Sequence, residues 1–176
     1  PLNVQGIERK GDFGFKITPH AMKMFFKDIY KNPVLACVRE LACNAFDAHT
    51  MNGNADKPFD VHVPTQLEPY FEIRDFGTGL SAEGMETLYS TFFESNKQAT
   101  NDLIGGLGIG SKSPLAYTDM FTATSYYHGK SYQYIISKNE LGVPTWNFIG
   151  EFETPDEPNG LRINVPVKAE YRDIEA

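Results

Sequence analysis

The sequence predicts an α+β fold, a two-layer sandwich in which helices and short strands come first and a meander of strands follows. Three observations carry this reading. Residues 18–50 have the caps and periodicity of helices. Residues 120–167 break into β-rich runs separated by turns, and nothing between the two parts alternates strand and helix as a parallel βαβ series would. The length of 176 residues fits one domain with a proper core.

Along the chain, residues 1–17 mix glycine, charge and scattered apolar residues and read as an extended arm or edge strand. Thr18-Pro19 supplies an N-cap and a first-turn proline for a helix to about Lys31, and Asn32-Pro33 repeats the signal for a second helix over 33–50. In that helix Val34, Leu35, Val38, Leu41, Ala42, Ala45 and Phe46 recur at three- and four-residue spacing and form the expected core stripe. Glu40, Asn44 and Asp47 fall on a different stripe. Two short strands, Phe59–Val63 and Tyr70–Asp75, follow the turn-like MNGNADKP. A helical pattern over 81–92 leads into the polar stretch ESNKQATND, which reads as mobile, and then into GGLGIGSKSP. Strands are expected in MFTATSYY, SYQYIIS, PTWNFIGEF and LRINVPV, divided by HGK, KNELGV and TPDEPNG. Repeats and low-complexity segments are absent from the sequence.

Composition narrows the function. A chain 41% hydrophobic, 13% aromatic and 22% charged is neither disordered, collagen-like nor coiled coil. Its net charge of −7 repels phosphate and disfavours a broad nucleic-acid-binding face. The tyrosines of FTATSYYHGKSYQYII could stack on bases, but Tyr126, Tyr132 and Tyr134 alternate as sheet-face residues do, with only Lys130 and Lys138 nearby. No direct nucleic-acid binding is expected. No apolar run reaches the roughly 18 residues of a spanning helix, and the N-terminal residues show no signal-peptide core. Cys37 and Cys43 lie six apart in one helical stretch and belong to no CxxC, which favours a reducing compartment and argues against zinc.

Three clusters carry chemistry. ELACNAFDA places Glu40, Asn44 and Asp47 on one side of a helix, a triplet that a plain solvated face could also carry. RDFGTGL places Asp75 at a strand end, followed by Gly77, Gly79 and Leu80, which alone reads equally well as a turn. GGLGIGSKS sets Gly105, Gly108 and Gly110, with Gly106 and Ile109 among them, where backbone can approach a polyphosphate; the following helix offers its N-terminus and Lys112 a point charge. A glycine hinge is the plainer alternative there, since this string does not follow a strand as a dinucleotide fingerprint does.

In this order and spacing the three clusters resemble the motifs of the GHKL superfamily, which includes type II topoisomerases, heat-shock chaperones, histidine kinases and mismatch-repair ATPases. Glu40, Asn44, Asp47 and Ala48 match its Glu-x-x-x-Asn-x-x-Asp-Ala box; Asp75, Gly77 and Gly79 match Asp-x-Gly-x-Gly; Gly105, Gly108 and Gly110 match Gly-x-x-Gly-x-Gly. VRELACNAFDAHTMNGNADK, RDFGTGLS and IGGLGIGSKSPLAYTDMF are more specifically similar to the N-terminal domain of the bacteriophage rIIA proteins, protectors from prophage-induced early lysis. The likeness covers nearly all 176 residues. Family members are several times longer, so it implies an ATPase domain of a longer protein or a short relative.

The resemblance implies a Bergerat-type sandwich with a mixed, mostly antiparallel sheet, helices on one face and a mobile ATP lid. It implies ATP and Mg²⁺ as cofactors, Glu40 as the general base, Asn44 as the Mg²⁺ ligand, and Asp75 as acceptor of the adenine amino proton. Asp47 and Ala48 would line base and ribose; Gly79 and Leu80 would give the base a close backbone and an apolar wall. Residues 94–104 would form the lid, with Ser95 and Lys97 as candidate contacts. Lid closure would favour a weak, ATP-dependent homodimer. An rIIB-like phage partner and a host cytoplasmic location peripheral to the inner membrane are implied in the same way. One departure stands out: the superfamily often opens the pocket-closing strand with Gly-Thr, whereas this chain has Gly160-Leu161 and no hydroxyl. A nucleotide switch with negligible turnover is the alternative. A histidine-kinase-type phosphotransferase is disfavoured by Glu40 and by the unrelated contexts of His20, His49, His62 and His128, each of which reads as surface or packing.

Overall fold

The structure is a computed structural model and describes residues 31–90, 110–140 and 142–168. The expected arm, the expected helix from Thr18, and the stretch carrying Ser95, Lys97, Gly105, Gly106, Gly108 and Ile109 lie outside the described residues.

Helix α1 spans Pro33–Met51. The Asn32 side chain accepts the Leu35 N–H at 3.0 Å, satisfying one of the donors that a helix start leaves open, and Pro33 occupies a position that needs no donor. Strands β1 (Asp60–His62) and β2 (Tyr70–Arg74) follow, then helix α2 (Ala82–Ser90). A 3₁₀ turn over Gly110–Lys112 leads into the four-residue helix α3 (Pro114–Tyr117). The helix expected after the glycines is therefore a single turn, and its small dipole makes it a poor anion site by itself. Strands β3 (Met120–Tyr127), β4 (Lys130–Lys138), β5 (Pro144–Glu153) and β6 (Gly160–Pro166) complete the chain.

The six strands form one sheet in the order β1-β2-β6-β3-β4-β5, and every pairing is antiparallel. The mixed sheet expected from the resemblance is thus purely antiparallel among the described residues. The cause is β6, which enters between β2 and β3 running against both. Register puts Ile73, Ile163, Ala123, Tyr134 and Phe148 in one row across the sheet. The first four are buried, with Phe121, Ile136 and Val165 in neighbouring rows, and they pack with Leu41 and Ala45 of α1, Met85 and Tyr89 of α2, and Leu115 of α3. Met85, Leu115 and Phe121 are fully buried, each contributing roughly 1.5–3 kcal/mol. Tyr126 and Tyr134 are buried and Tyr132 packs against the core, as sheet-face residues should.

The core stripe of α1 differs from expectation. Leu41 and Ala45 are buried and Ala42 packs on the core, but Val34, Leu35, Val38 and Phe46 are exposed by 45%, 62%, 38% and 52%. The buried line runs instead through Cys37, Leu41, Ala45 and His49, with Ala36 beside it. Each residue turns a helix by about 100°, so neighbours of a buried position face elsewhere. The buried line is rich in small residues, which allow the helix a close approach to its neighbours.

Gly79 shows how tightly the loop after β2 is held. It has φ +67°, and a Cβ there would lie 2.0 Å from the Tyr126 carbonyl oxygen. Gly79→Ala combines left-handed strain with a backbone clash, and is expected to lower unfolding free energy by at least about 2 kcal/mol in urea titrations. A variant as stable as the parent would contradict this close approach.

Candidate functional site

The first and third sequence clusters meet at Gly110. A Cβ built there would lie 3.0 Å from Glu40 Oε2 and 3.8 Å from both terminal atoms of Asn44. The first and second meet at Gly77, where a Cβ would lie 2.9 Å from the Ala48 Cβ and 3.1 Å from Asp75 Oδ1. Glu40, Asn44 and Ala48 are successive members of one α1 face, so a single rigid helix carries both junctions. Asp47 is half-buried on the same helix. Of the expected site residues, Glu40, Asn44, Ala48, Asp75, Gly77 and Gly110 are thereby brought together, with Gly79 and Leu80 continuing the loop.

Asp75 is the most constrained member. Its N–H donates to the Leu161 carbonyl at 2.9 Å, and Oδ1 accepts the N–H of Gly77 at 2.9 Å and of Leu161 at 3.2 Å. Oδ2 makes no hydrogen bond to any described residue, although Asp75 is only 6% exposed. Burial raises its pKa above the usual aspartate value, against the opposing pull of those two N–H groups and of Arg74 and His49. The result is a carboxylate with one saturated oxygen and one spare acceptor.

The Gly160-Leu161 departure has a structural counterpart. Gly160 has φ +138°, and a Cβ there would run into the Asp75 carbonyl, so the position admits no side chain. Leu161 engages Asp75 through its backbone, which needs no hydroxyl. The hydroxyl at this loop comes from Ser125, fully buried on β3: it accepts the Leu80 N–H and donates to the Leu80 carbonyl, both at 2.7 Å.

Three further residues hold the loop. Arg74, buried to 4% exposure, donates to the carbonyls of Asp75 and Pro158 and lies between the Phe76 and Tyr126 rings. Ser125 clamps Leu80. His49, buried to 1% exposure, accepts the Phe76 N–H through Nε2 at 2.8 Å. The sequence assigns none of the three this role: Arg and Ser report no partner by spacing, and His49 reads as surface or packing. His49 did carry a signal, as the fourth term of the Cys37, Leu41, Ala45 series.

Glu40 and Lys112 have defined partners. Arg39 Nη2 sits 2.8 Å from Glu40 Oε1, leaving Oε2 toward Gly110. Arg39 is 59% exposed, so this pair adds little stability. Lys112, the expected phosphate-facing charge, is buried to 1% exposure; its ammonium donates to the Leu88 carbonyl at 2.7 Å, near the Tyr89 ring. Here it ties the glycine turn to α2. Burial lowers its pKa to about 8.

Among the described residues no three His, Cys, Asp or Glu side chains cluster as a metal site. A single neutral amide oxygen, from Asn44, nevertheless suits Mg²⁺, which takes most of its ligands from phosphate and water. An open cavity of about 610 Å³ adjoins the loop at Gly77 and is lined also by Asn52, Lys57, Phe76 and His128. It contains none of Glu40, Asn44 or Asp75, so the site above is defined by the junctions and not by the cavity.

No family model matches the chain, and no curated protein matches it. No helix among the described residues is long and apolar enough to cross a membrane.

Two pH effects follow. The raised Asp75 pKa means that its ionised form costs folding free energy; that cost is absent below the unfolded aspartate value and sets in as pH rises through the folded value. Asp75→Asn should therefore be at least as stable as the parent at pH 7 in thermal melts, and a clear loss would refute this sign. For Lys112 the depressed pKa makes the charged form costly, a cost relieved as pH rises from about 8 toward the ordinary lysine value of 10.5. Parent stability minus that of Lys112→Met should rise over that interval. A flat difference would show Lys112 to be solvated.

Proposed function

We propose that this domain binds ATP with Mg²⁺ and hydrolyses it, as an ATPase of the GHKL type in an rIIA-like phage protein. The observation that carries the reading is the spare Oδ2 of Asp75, a residue only 6% exposed whose loop packs at Gly77 against Ala48, on the same helix that presents Glu40 and Asn44 to Gly110. An acceptor fixed in that way selects adenine, whose six-position amine donates, over guanine, whose six-position carbonyl cannot. Ala48 and Gly77 keep the neighbouring wall small enough for a planar base, and Leu80 supplies an apolar contact.

The remaining residues suit phosphoryl transfer to water. Asn44 would hold Mg²⁺, which supplies charge neutralisation for the phosphate oxygens. Glu40, one helical turn away, would orient a water and take up its proton through Oε2, the oxygen facing Gly110. Gly110 lets backbone lie against both side chains where any other residue would fill the space. Lid closure, a weak ATP-favoured homodimer, an rIIB-like partner and a location at the host inner membrane belong to the same proposal.

The Arg39 ion pair favours a second reading, a nucleotide-binding switch with negligible turnover, because the guanidinium already occupies one of the two Glu40 carboxylate oxygens and holds the side chain in place. Turnover separates the two.

Calorimetric titration with ATP, GTP and ADP, with and without Mg²⁺, should give Mg²⁺-dependent ATP binding and much weaker GTP binding. Equal affinities, or no heat, would sink the nucleotide assignment. In Asp75→Asn the side-chain oxygen is retained by the Gly77 and Leu161 N–H groups, so the amide nitrogen faces the base as a donor. ATP should bind roughly tenfold or more weakly and discrimination against GTP should shrink. Glu40→Ala should keep ATP binding and slow hydrolysis by roughly a hundredfold or more; hydrolysis at the parental rate would place the base elsewhere.

A further inference from the structure

We infer that His49, a residue outside all three sequence motifs, is the positioning residue that fixes the adenine-reading loop against α1, and that it governs nucleotide affinity and base selectivity without taking part in the chemistry. The inference rests on the nucleotide reading above.

The geometry is specific. The Phe76 N–H donates to His49 Nε2 at 2.8 Å, so Nε2 carries no proton. Nδ1, 3.1 Å from the Lys57 carbonyl, must then carry the proton and donate it. One neutral tautomer therefore satisfies three groups at once: the ring, the Phe76 N–H and the Lys57 carbonyl. The ring is 1% exposed and sits edge-on to Phe59 at 6.1 Å and tilted to Phe76 at 6.2 Å, so packing as well as hydrogen bonding sets its orientation.

Phe76 is the residue between Asp75 and Gly77, the two whose placement decides whether Oδ2 meets the base. His49 is the residue after Ala48, the one that Gly77 touches. The imidazole thus fastens the loop to the last turn of α1 at the point where the loop turns away from β2. Without it the half-buried Phe76 N–H loses its acceptor on α1, and the loop loses its tie to the helix and is free to shift. Glu40 lies nine residues earlier on α1, beyond two helical turns, so loop movement reaches base recognition before it reaches hydrolysis.

The test uses the whole chain and two variants. His49→Leu removes both hydrogen bonds; His49→Gln can place its carbonyl oxygen where Nε2 stands and keep the Phe76 bond. ATP KM should rise about tenfold in His49→Leu with kcat within about twofold of the parent, and preference for ATP over GTP should fall. His49→Gln should recover most of both. A merely destabilising change would instead lower the active fraction, and with it kcat, at constant KM. Unchanged KM and selectivity in a folded His49→Leu would overturn the inference. A parent that binds no nucleotide would overturn the nucleotide reading instead. If His49→Leu fails to fold, the parent still decides: ring nitrogen shifts in NMR should report Nδ1–H with bare Nε2, and the Phe76 amide should exchange slowly. A rapidly exchanging Phe76 amide or the opposite tautomer would overturn the inference without any variant.

Discussion

The fold around the site depends on one oxygen atom. Asp75 Oδ1 receives the N–H of Gly77 from its own loop and the N–H of Leu161 from the next strand in the sheet. These two bonds, with the Asp75 N–H on the Leu161 carbonyl, close the end of the β2–β6 ladder just where β2 stops. Burying a carboxylate is costly, and the raised pKa records that the two N–H groups and Arg74 only partly offset it. A structural role alone would be served as well by asparagine, whose oxygen accepts the same bonds without a charge to desolvate. Aspartate at this position is thus better explained by what Oδ2 can bind than by what Oδ1 holds together.

The same economy of space recurs at Gly79 and Gly160. In both, backbone stands where a Cβ would have to be, Tyr126 carbonyl in one case and Asp75 carbonyl in the other. Arg74 holds one of these carbonyls: its guanidinium bonds the carbonyl of Asp75, and that of Pro158 beside it, and lies over the Tyr126 ring. A buried arginine satisfied by carbonyls and aromatic faces tightens the loop without a direct ion pair to Asp75, whose burial its charge only partly offsets.

Much of this was legible in the residues, for identifiable reasons. β-rich composition located β3 to β6, of which β3, β4 and β6 bury residues on one face whereas the edge strand β5 buries none, and Asn32-Pro33 located the start of α1 because capping is local chemistry. Side-chain periodicity could not choose the buried face of α1. Val34, Leu35, Val38 and Phe46 outweigh Ala36, Cys37 and Ala45 in apolar bulk, yet the small residues are the ones in the core. Hydrophobicity measures the gain on burial; the spacing between helix and sheet decides which residue can be buried at all. Lys112 escaped for a related reason, since the Leu88 carbonyl that holds it lies 24 residues earlier. A lysine in a glycine-rich string reads as a phosphate ligand until its tertiary partner is known.

That division explains why the candidate site is readable while its supports are not. Glu40, Asn44 and Ala48 need only the 3.6-residue period of one helix to share a face, and Asp75, Gly77 and Gly79 need only one loop, so their grouping is written in spacing. Their junction is made by His49, Ser125 and Arg74, which come from the end of α1, from β3 and from β2, and which meet the loop at Phe76, Leu80 and Asp75 in turn. Each of these supports bonds backbone and not side chain. The loop's position is therefore set by groups every residue has, and its chemistry by the few side chains left free of that work. Under the proposed nucleotide reading, substitutions at the supports shift affinity, whereas those at Glu40 or Asn44 fall on the residues proposed for hydrolysis and metal binding. This separation leaves the backbone to position the loop and a few side chains, Asp75 on the loop and Glu40 and Asn44 on one face of α1, to carry whatever chemistry the site performs.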